Sequence, residues 1–421
     1  MSNSTYDVIV IGAGHAGLSV SYYLKKQGLN HVIFERGRIG ESWKSQRWDS
    51  FSINTPSWSN NLPGEQYDGD KPDSFYLLKE FTRYLDNYAS KHKLPVVENA
   101  KVTSLDNSGG TGKYKVTVSQ NGSLKDYYCN QVVVASGIMN EKNTPSISKN
   151  ISSEIFQLHA SEYKNPLQLP ESAILVVGSA QSGVQISEDL AGAGRKVYFS
   201  TSKVPRARRR YRGKDMVYWF VESGFWDVKT SDITDPAMFS IRQPQISGVG
   251  FRGHTVSLQW LHKKGVEILG RLENANGYTV NFQPNAAEHV KFADEFSKKI
   301  LGMVDEFIQK NKIDAPPPEK DEADEPDPSA ECASDITELN LKETSVSSII
   351  WTTGFGADFS WIKLPVIDDK GNPKHTEGIT DVEGVYFLGF PWLRKRKSGI
   401  ICGICEDAEF IAGKIKSKIN T

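Results

Sequence analysis

Glycines at positions 12, 14 and 17 follow a short β-branched run, Tyr6–Ile11, and an acid, Glu35, stands 18 residues after the last of them. That spacing suits the binding of a dinucleotide through its diphosphate. Gly12 makes the turn, Gly14 lets backbone approach a pyrophosphate, and Gly17 lets a helix pack closely on a strand. Free N–H groups and the positive dipole end of the following helix would meet the phosphates. Glu35 can accept hydrogen bonds from a ribose diol and would repel a 2′-phosphate, so this site suits FAD or NAD.

A related pattern begins 166 residues later, at Gly178-Ser179-Ala180-Gln181-Ser182-Gly183. Ala180 stands where the middle glycine belongs, adding one methyl where backbone meets pyrophosphate. After the next strand the chain reads Ser200-Thr201-Ser202-Lys203, with no acid at the ribose position. A polar and basic pocket of that kind favours NADPH over NADH. Lys203–Lys214 then holds seven basic residues and no acid. It reads as a site for dinucleotide phosphates or as a solvated basic face, and the near-neutral chain argues against nucleic acid.

Cys402-Gly403-Ile404-Cys405 is a rival signal, since a CxxC can be a redox pair fed by a flavin. Other chemistries find no pattern: no histidine pair has HxxxH spacing, Gly109–Lys113 lacks the ends of a phosphate loop, and no GxSxG elbow exists. No metal site is expected.

The elements that must position these residues are legible from periodicity. Tyr6–Ile11, Ala16–Lys25 and His31–Phe34 read as strand, helix and strand, the βαβ unit of a doubly wound sheet. Ile174–Val177, Val184–Ala193 and Lys196–Ser200 repeat it. Lys113–Ser119 and Asp126–Ala135 alternate around Asn121-Gly122, a hairpin signal. Val290–Ile308 carries apolar residues every four positions, at Phe292, Phe296, Ile300, Val304 and Ile308, and is predicted to be an amphipathic helix. The Pro- and acid-rich stretch 314–330 is expected to be a flexible surface loop. Ser345–Trp351 reads as a buried strand, and the last helix is expected within Ile404–Ile415.

Composition bounds the rest. A chain of 421 residues suggests two or three domains at roughly 150 residues each. It is 38% hydrophobic and 24% charged, with 50 Lys+Arg against 51 Asp+Glu, so a net charge of −1 gives no global field for nucleic acid or an anionic membrane. The four scattered cysteines suit a reducing cytosol rather than a disulfide framework. The uncharged stretch Val8–Leu24 holds three glycines and a histidine and is too short to span a bilayer, so neither a leader nor a membrane helix is expected.

Several segments together resemble the class B flavoprotein monooxygenases, the group of flavin-containing and Baeyer–Villiger monooxygenases. The similarity rests on the first fingerprint with Glu35-Arg36, on Gly40-Glu41-Ser42-Trp43, on Trp48–Pro56, on Val177–Gly183, on Thr352-Thr353-Gly354-Phe355 and on Gly384–Gly389. His159 and Tyr163 fit the family's linker signature, while Ser153 and Ile155 replace its Phe and Gly. Ser202 stands where many members carry the arginine that grips the 2′-phosphate, which keeps NADH as the alternative donor.

The resemblance implies an α/β fold with two Rossmann-like dinucleotide-binding domains, the second inserted in the first. FAD would occupy residues 1–165 and 335–421, and NAD(P)H residues 166–334. Ser42, Trp43, Trp48, Val102, Ala135, Thr353, Gly354 and Gly389 would join the fingerprint residues as cofactor contacts, with Trp43, Trp48 and Trp58 walling the flavin ring. Reduced flavin would trap O₂ as a C4a-hydroperoxide and oxygenate a small sulfur, nitrogen or carbonyl compound. Asn54 would sit beside the flavin C4a locus, with an Asx turn before Pro56 as its other reading. His159 would orient the linker or meet the nicotinamide ribose, and an arginine of the Arg208–Arg212 stretch, taken as Arg209, would stand over the flavin. A disulfide reductase using Cys402 and Cys405, and a non-oxygenating redox sensor, are the alternatives; a homodimer is left open.

Overall fold

The computed structural model describes residues 5–240, 243–248, 250 and 253–419, so the first four and last two residues of the expected FAD unit lie outside the described residues. Thr5–Ile11 runs parallel between His31–Phe34 and Ser123–Val134, with Ile9 opposite Val32 and Val132. Val8, Ile9 and Val10 are fully buried, as strands covered on both faces must be, and this gives the run its unbroken apolar character. Across the sheet the order is Val96–Val97, His31–Phe34, Thr5–Ile11, Ser123–Val134, Tyr114–Gln120 and Ala100–Asn107. Val385–Phe387 joins in parallel beside the C-terminal half of Ser123–Val134. The expected hairpin turns at Asn121 (φ 51°) and Gly122 (φ 77°), the positive pair that a two-residue turn between twisted strands requires. Helix His15–Lys26 covers the sheet and packs against helix Ile404–Ile419.

The second sheet is all parallel, in the order Glu267–Leu269, Val197–Ser200, Ala173–Val177, Val346–Trp351 and Phe156–His159. This corrects the boundaries read from the sequence. Phe156–His159 and Val346–Trp351, assigned there to the FAD unit, hydrogen-bond in the second sheet, with Ile350 opposite Leu158 on one side and Val176 on the other. Helix Gln181–Gly192 follows Ala173–Val177, as His15–Lys26 follows Thr5–Ile11. A small antiparallel sheet, Leu272–Asn276, Thr279–Phe282 and Glu338–Asn340, and the long helix Ala286–Asn311 complete this half.

The acidic stretch departs from expectation. Residues 314–330 are not a free loop: they are strapped across the basic segment by paired charges. Arg206, 1% exposed, binds Asp324 and also donates to Asp294 Oδ1 from Nη2 (2.8 Å) and Nε (3.0 Å). Arg208 lies 3.6 Å from Asp321 and donates to the Glu319 carbonyl. The Arg212 backbone N–H donates to Glu319 at 2.7 Å, and its guanidinium pairs with Asp305 at 2.6 Å. The two runs that cancel in the net charge therefore cancel in space. Among the described residues no helix is long and apolar enough to cross a membrane.

Candidate active site

The first cleft opens at the C-terminal ends of Thr5–Ile11 and His31–Phe34. Gly12 has φ 105°, and a Cβ there would lie 2.6 Å from the Ala135 carbonyl oxygen. A Cβ on Gly17 would fall far inside contact distance of the Gly12 carbonyl. Gly14 differs: a Cβ there meets nothing within 4 Å, and its φ of −77° suits any residue. Its glycine is therefore spare space in front of a helix whose first N–H groups no side chain caps. Glu35, 7% exposed, accepts from Ala13 N–H (2.7 Å) and Gly37 N–H (3.0 Å), and burial raises its pKa. It binds the turn it was expected to serve.

Arg36, Ser42, Trp43, Val102, Ala135 and Gly389 line this cleft, as expected for FAD contacts. His15 and Ser136 line it too, and His15 Nε2 and Ser136 Oγ are buried with no hydrogen-bond partner. Burial lowers the His15 pKa to about 4, so the imidazole is neutral. Unsatisfied buried polar atoms around an open cradle fit a polyoxygenated ligand such as a dinucleotide. Gly14→Ala is thus expected to leave stability within roughly 0.5 kcal/mol of wild type. FAD titration of the same variant should show affinity weakened by about tenfold or more.

The second cleft, about 800 Å³, repeats the device. Gly178 has φ 107°, and a Cβ there would lie 2.7 Å from the Thr352 carbonyl; a Cβ on Gly183 would strike the Gly178 carbonyl as one on Gly17 strikes Gly12. Ala180 adopts φ −72° and ψ −175°, against −77° and −176° at Gly14, so alanine costs the backbone nothing. Gly178, Ala180, Gln181, Ser182, Ser202, Lys203, Thr353 and Gly354 line this cleft. Arg271 joins Ser202 and Lys203 there and was missed in the sequence. It follows strand Glu267–Leu269, whose place beside Val197–Ser200 no local pattern announces.

Trp43, Arg47 and Met139 line both clefts, and Asn54 and His159 line the second. Asn54 Oδ1 accepts from Gln185 Nε2 at 3.1 Å, which leaves the Nδ2 hydrogens for a ligand. His159 is 2% exposed. Its Nδ1 accepts from the Ser161 N–H at 3.2 Å, so Nε2 carries the proton and donates to the Gly354 carbonyl at 2.8 Å. Burial lowers its pKa and keeps it neutral. His159 thus pins the linker to the Thr352–Gly354 turn.

Other expected residues lie elsewhere. Arg209 lines neither cleft: it is 1% exposed, grips Asp215 bidentately (2.7 and 2.5 Å) and donates to the Asn54 carbonyl at 2.8 Å. Its neutralised guanidinium supports Asn54 from behind. Trp48, 2% exposed, packs edge-on against Phe51 (5.2 Å, 88°), and Trp58 packs in a separate cluster, so only Trp43 of the three walls a cleft. Gly17 and Gly183 act through helix packing and not as cleft lining. Cys402 and Cys405 also line neither cleft, and burial pushes their thiols up to about 12 and about 11. Neither is a thiolate at neutral pH, the form a redox pair needs.

Residues 9–298 match the family described as pyridine nucleotide-disulphide oxidoreductase. The chain is 32% identical to an "uncharacterized oxidoreductase CzcO-like" protein of Geobacillus kaustophilus, over 97% of this chain and 98% of that one. It is 29% identical to the probable indole-3-pyruvate monooxygenase YUCCA9 of Arabidopsis thaliana over 44% of each chain. A solved flavin-containing monooxygenase from Stenotrophomonas maltophilia shares the fold, with a TM-score of 0.66 at 19% identity and 99% coverage of both chains.

Proposed function

The chain belongs to the pyridine nucleotide-disulphide oxidoreductase family, and from that premise we propose that it is an FAD-dependent, NAD(P)H-consuming monooxygenase of small sulfur, nitrogen or carbonyl compounds. In this reading the two sheets form two dinucleotide-binding units, FAD in the first cleft and NADPH in the second. The observation that carries it is the shared wall: Trp43, Arg47 and Met139 border both clefts, while no thiol borders either. Electrons entering at that wall have no protein disulfide to reach, which separates this reading from a reductase using Cys402 and Cys405.

When bound, the flavin supplies hydride acceptance and dioxygen activation, chemistry that no side chain here can perform. The protein's residues bind, orient and exclude water. The free N–H groups at the start of His15–Lys26 hold the diphosphate, with His15 Nε2 able to donate as well. Glu35 receives the ribose hydroxyls. The Nδ2 of Asn54, held by Gln185 at its oxygen and by Arg209 at its backbone, presents a hydrogen-bond donor at the reacting wall. Trp43 and Phe51, with ring centroids 6.0 Å apart, give that wall an apolar face.

The test measures hydrogen peroxide released per NADPH oxidised, in the presence of a thioether probe and isotopically labelled oxygen gas. Peroxide well below one equivalent, with label in the sulfoxide, supports the monooxygenase. Stoichiometric peroxide and unlabelled probe refute it.

Cofactor preference follows from the missed arginine. Ser202 leaves the 2′-phosphate without the expected guanidinium, and Lys203 is partly engaged by Glu288 at 3.3 Å. Arg271, on the same wall, supplies the charge. Arg271→Glu is expected to lower kcat/KM for NADPH roughly 10- to 100-fold and to change that for NADH by less than about threefold. Equal losses with the two donors would remove Arg271 from this role.

A further inference from the structure

Arg47 is the charged side chain of the shared wall, and the reading above leaves its charge unused. Its guanidinium lies 5.1 Å from the Trp43 ring centroid and 5.5 Å from that of Phe51, two rings tilted at 46° with centroids 6.0 Å apart. Its polar partners among the described residues are the Gln46 carbonyl at 2.9 Å and the Met139 sulfur at 3.6 Å; no carboxylate is among them. Arg206, Arg208, Arg209 and Arg212 of the basic segment, by contrast, each meet an acid. A half-buried guanidinium with no acid beside it is left without a counter-ion. Burial alone lowers its pKa, to about 10, with no acid offsetting the effect.

The surroundings define what would complete the charge. Trp43, Phe51 and Met139 surround the Arg47 guanidinium in the second cleft, which Pro145 and Ile147 also line, so the cation stands among aromatic and aliphatic side chains. That is a complement for an amphipathic anion whose apolar body lies on the rings and whose head pairs bidentately with the guanidinium.

We propose that Arg47 anchors the carboxylate of the substrate, and that the substrate is a small carboxylic acid with an apolar or aromatic body. This rests on the reading of the shared wall as the reacting centre, and it adds the substrate class. Arg47 is a binding residue in this scheme, since the reaction occurs at another atom of the same molecule.

Isothermal titration calorimetry of the FAD-loaded protein reads the claim without turnover, using phenylacetate and its uncharged counterpart phenylacetamide. Phenylacetate is expected to bind at least about tenfold more tightly to the wild type, and Arg47→Gln to bring the two probes within about twofold. Arg47→Lys, which keeps the charge and loses the fork, should weaken phenylacetate by roughly three- to tenfold and leave phenylacetamide unchanged, and it carries the test if Arg47→Gln does not fold. Equal binding of the probes to wild type overturns the proposal, as does a preference that survives in Arg47→Gln. A lowered flavin midpoint potential in Arg47→Gln with the preference intact also overturns it, and makes the guanidinium a counter-charge for the reduced flavin. Carboxylate preference without oxygen transfer would sink the monooxygenase reading and leave this site standing; oxygen transfer without the preference does the reverse.

Discussion

Gly183→Ala is expected to purify with its FAD and to lose at least about a hundredfold in kcat/KM for NADPH, the scale of loss that follows from misplacing a binding element by an ångström. The added Cβ would overlap the Gly178 carbonyl oxygen and come within 3.0 Å of Thr352 Oγ1. Helix Gln181–Gly192 cannot yield without moving its N-terminus, because Gln181 and Gln185 tie it to the Ser247 and Gly248 carbonyls. Overpacking of this kind also costs roughly 1–3 kcal/mol of stability. The twin substitution, Gly17→Ala, makes the same overlap with Gly12 in the first turn and is expected to give colourless, FAD-free protein. Absorbance of the purified proteins measures flavin content, and anaerobic stopped-flow reduction measures the second site. A Gly183→Ala protein reduced at the wild-type rate would show that the second turn does not hold the nicotinamide cofactor.

Those two turns were legible because their chemistry is local. Each needs a strand, glycines at fixed offsets and a helix within a dozen residues, and such a pattern survives in the chain whatever the rest of the fold does. Ala180 was readable as the mildest replacement, and the backbone geometry shared with Gly14 shows that its methyl strains nothing in the turn itself. Sheet membership was not local. Val346–Trp351 reads as a strand, but nothing near it says that it pairs with Ala173–Val177, some 170 residues back, and not with the first sheet.

The same limit applies to side chains. Trp43 and Trp48 sit five residues apart in one aromatic run, and only the fold decides that one walls the clefts while the other is core. Arg209 is taken, on the resemblance, from a run of arginines that no spacing distinguishes, yet Asp215 and the Asn54 carbonyl claim it. Arg47 and Arg271, two cations that line the clefts outside the basic run, carry no motif of their own. Their significance comes from neighbours supplied by distant segments.

The acidic strap is where distant charge matters most for stability. Asp324→Ala is expected to lower unfolding free energy by roughly 1.5–3 kcal/mol, the scale of a charge-assisted hydrogen bond lost from a buried network. Arg206 cannot turn to solvent, since its side chain is 1% exposed, and Asp294 alone would then carry it. Ser297 Oγ would also lose its acceptor at 2.9 Å. A surface pair would cost no more than about 1 kcal/mol and would respond to salt. Denaturant unfolding at low and high salt therefore separates the cases: a large loss that salt does not change supports the strap as a buried network, and a loss below about 0.5 kcal/mol refutes it. Limited proteolysis gives the local counterpart, because a strap released at Asp324 should be cut within residues 314–330 while the wild type resists. Replacing the whole triad, Arg206→Met with Asp324→Leu and Asp294→Asn, should recover much of the stability, since no charge is then stranded. Such recovery would mean that the basic run is retained by its acids and not by a phosphate, leaving Lys203 and Arg271 as the cations that face the nicotinamide cofactor.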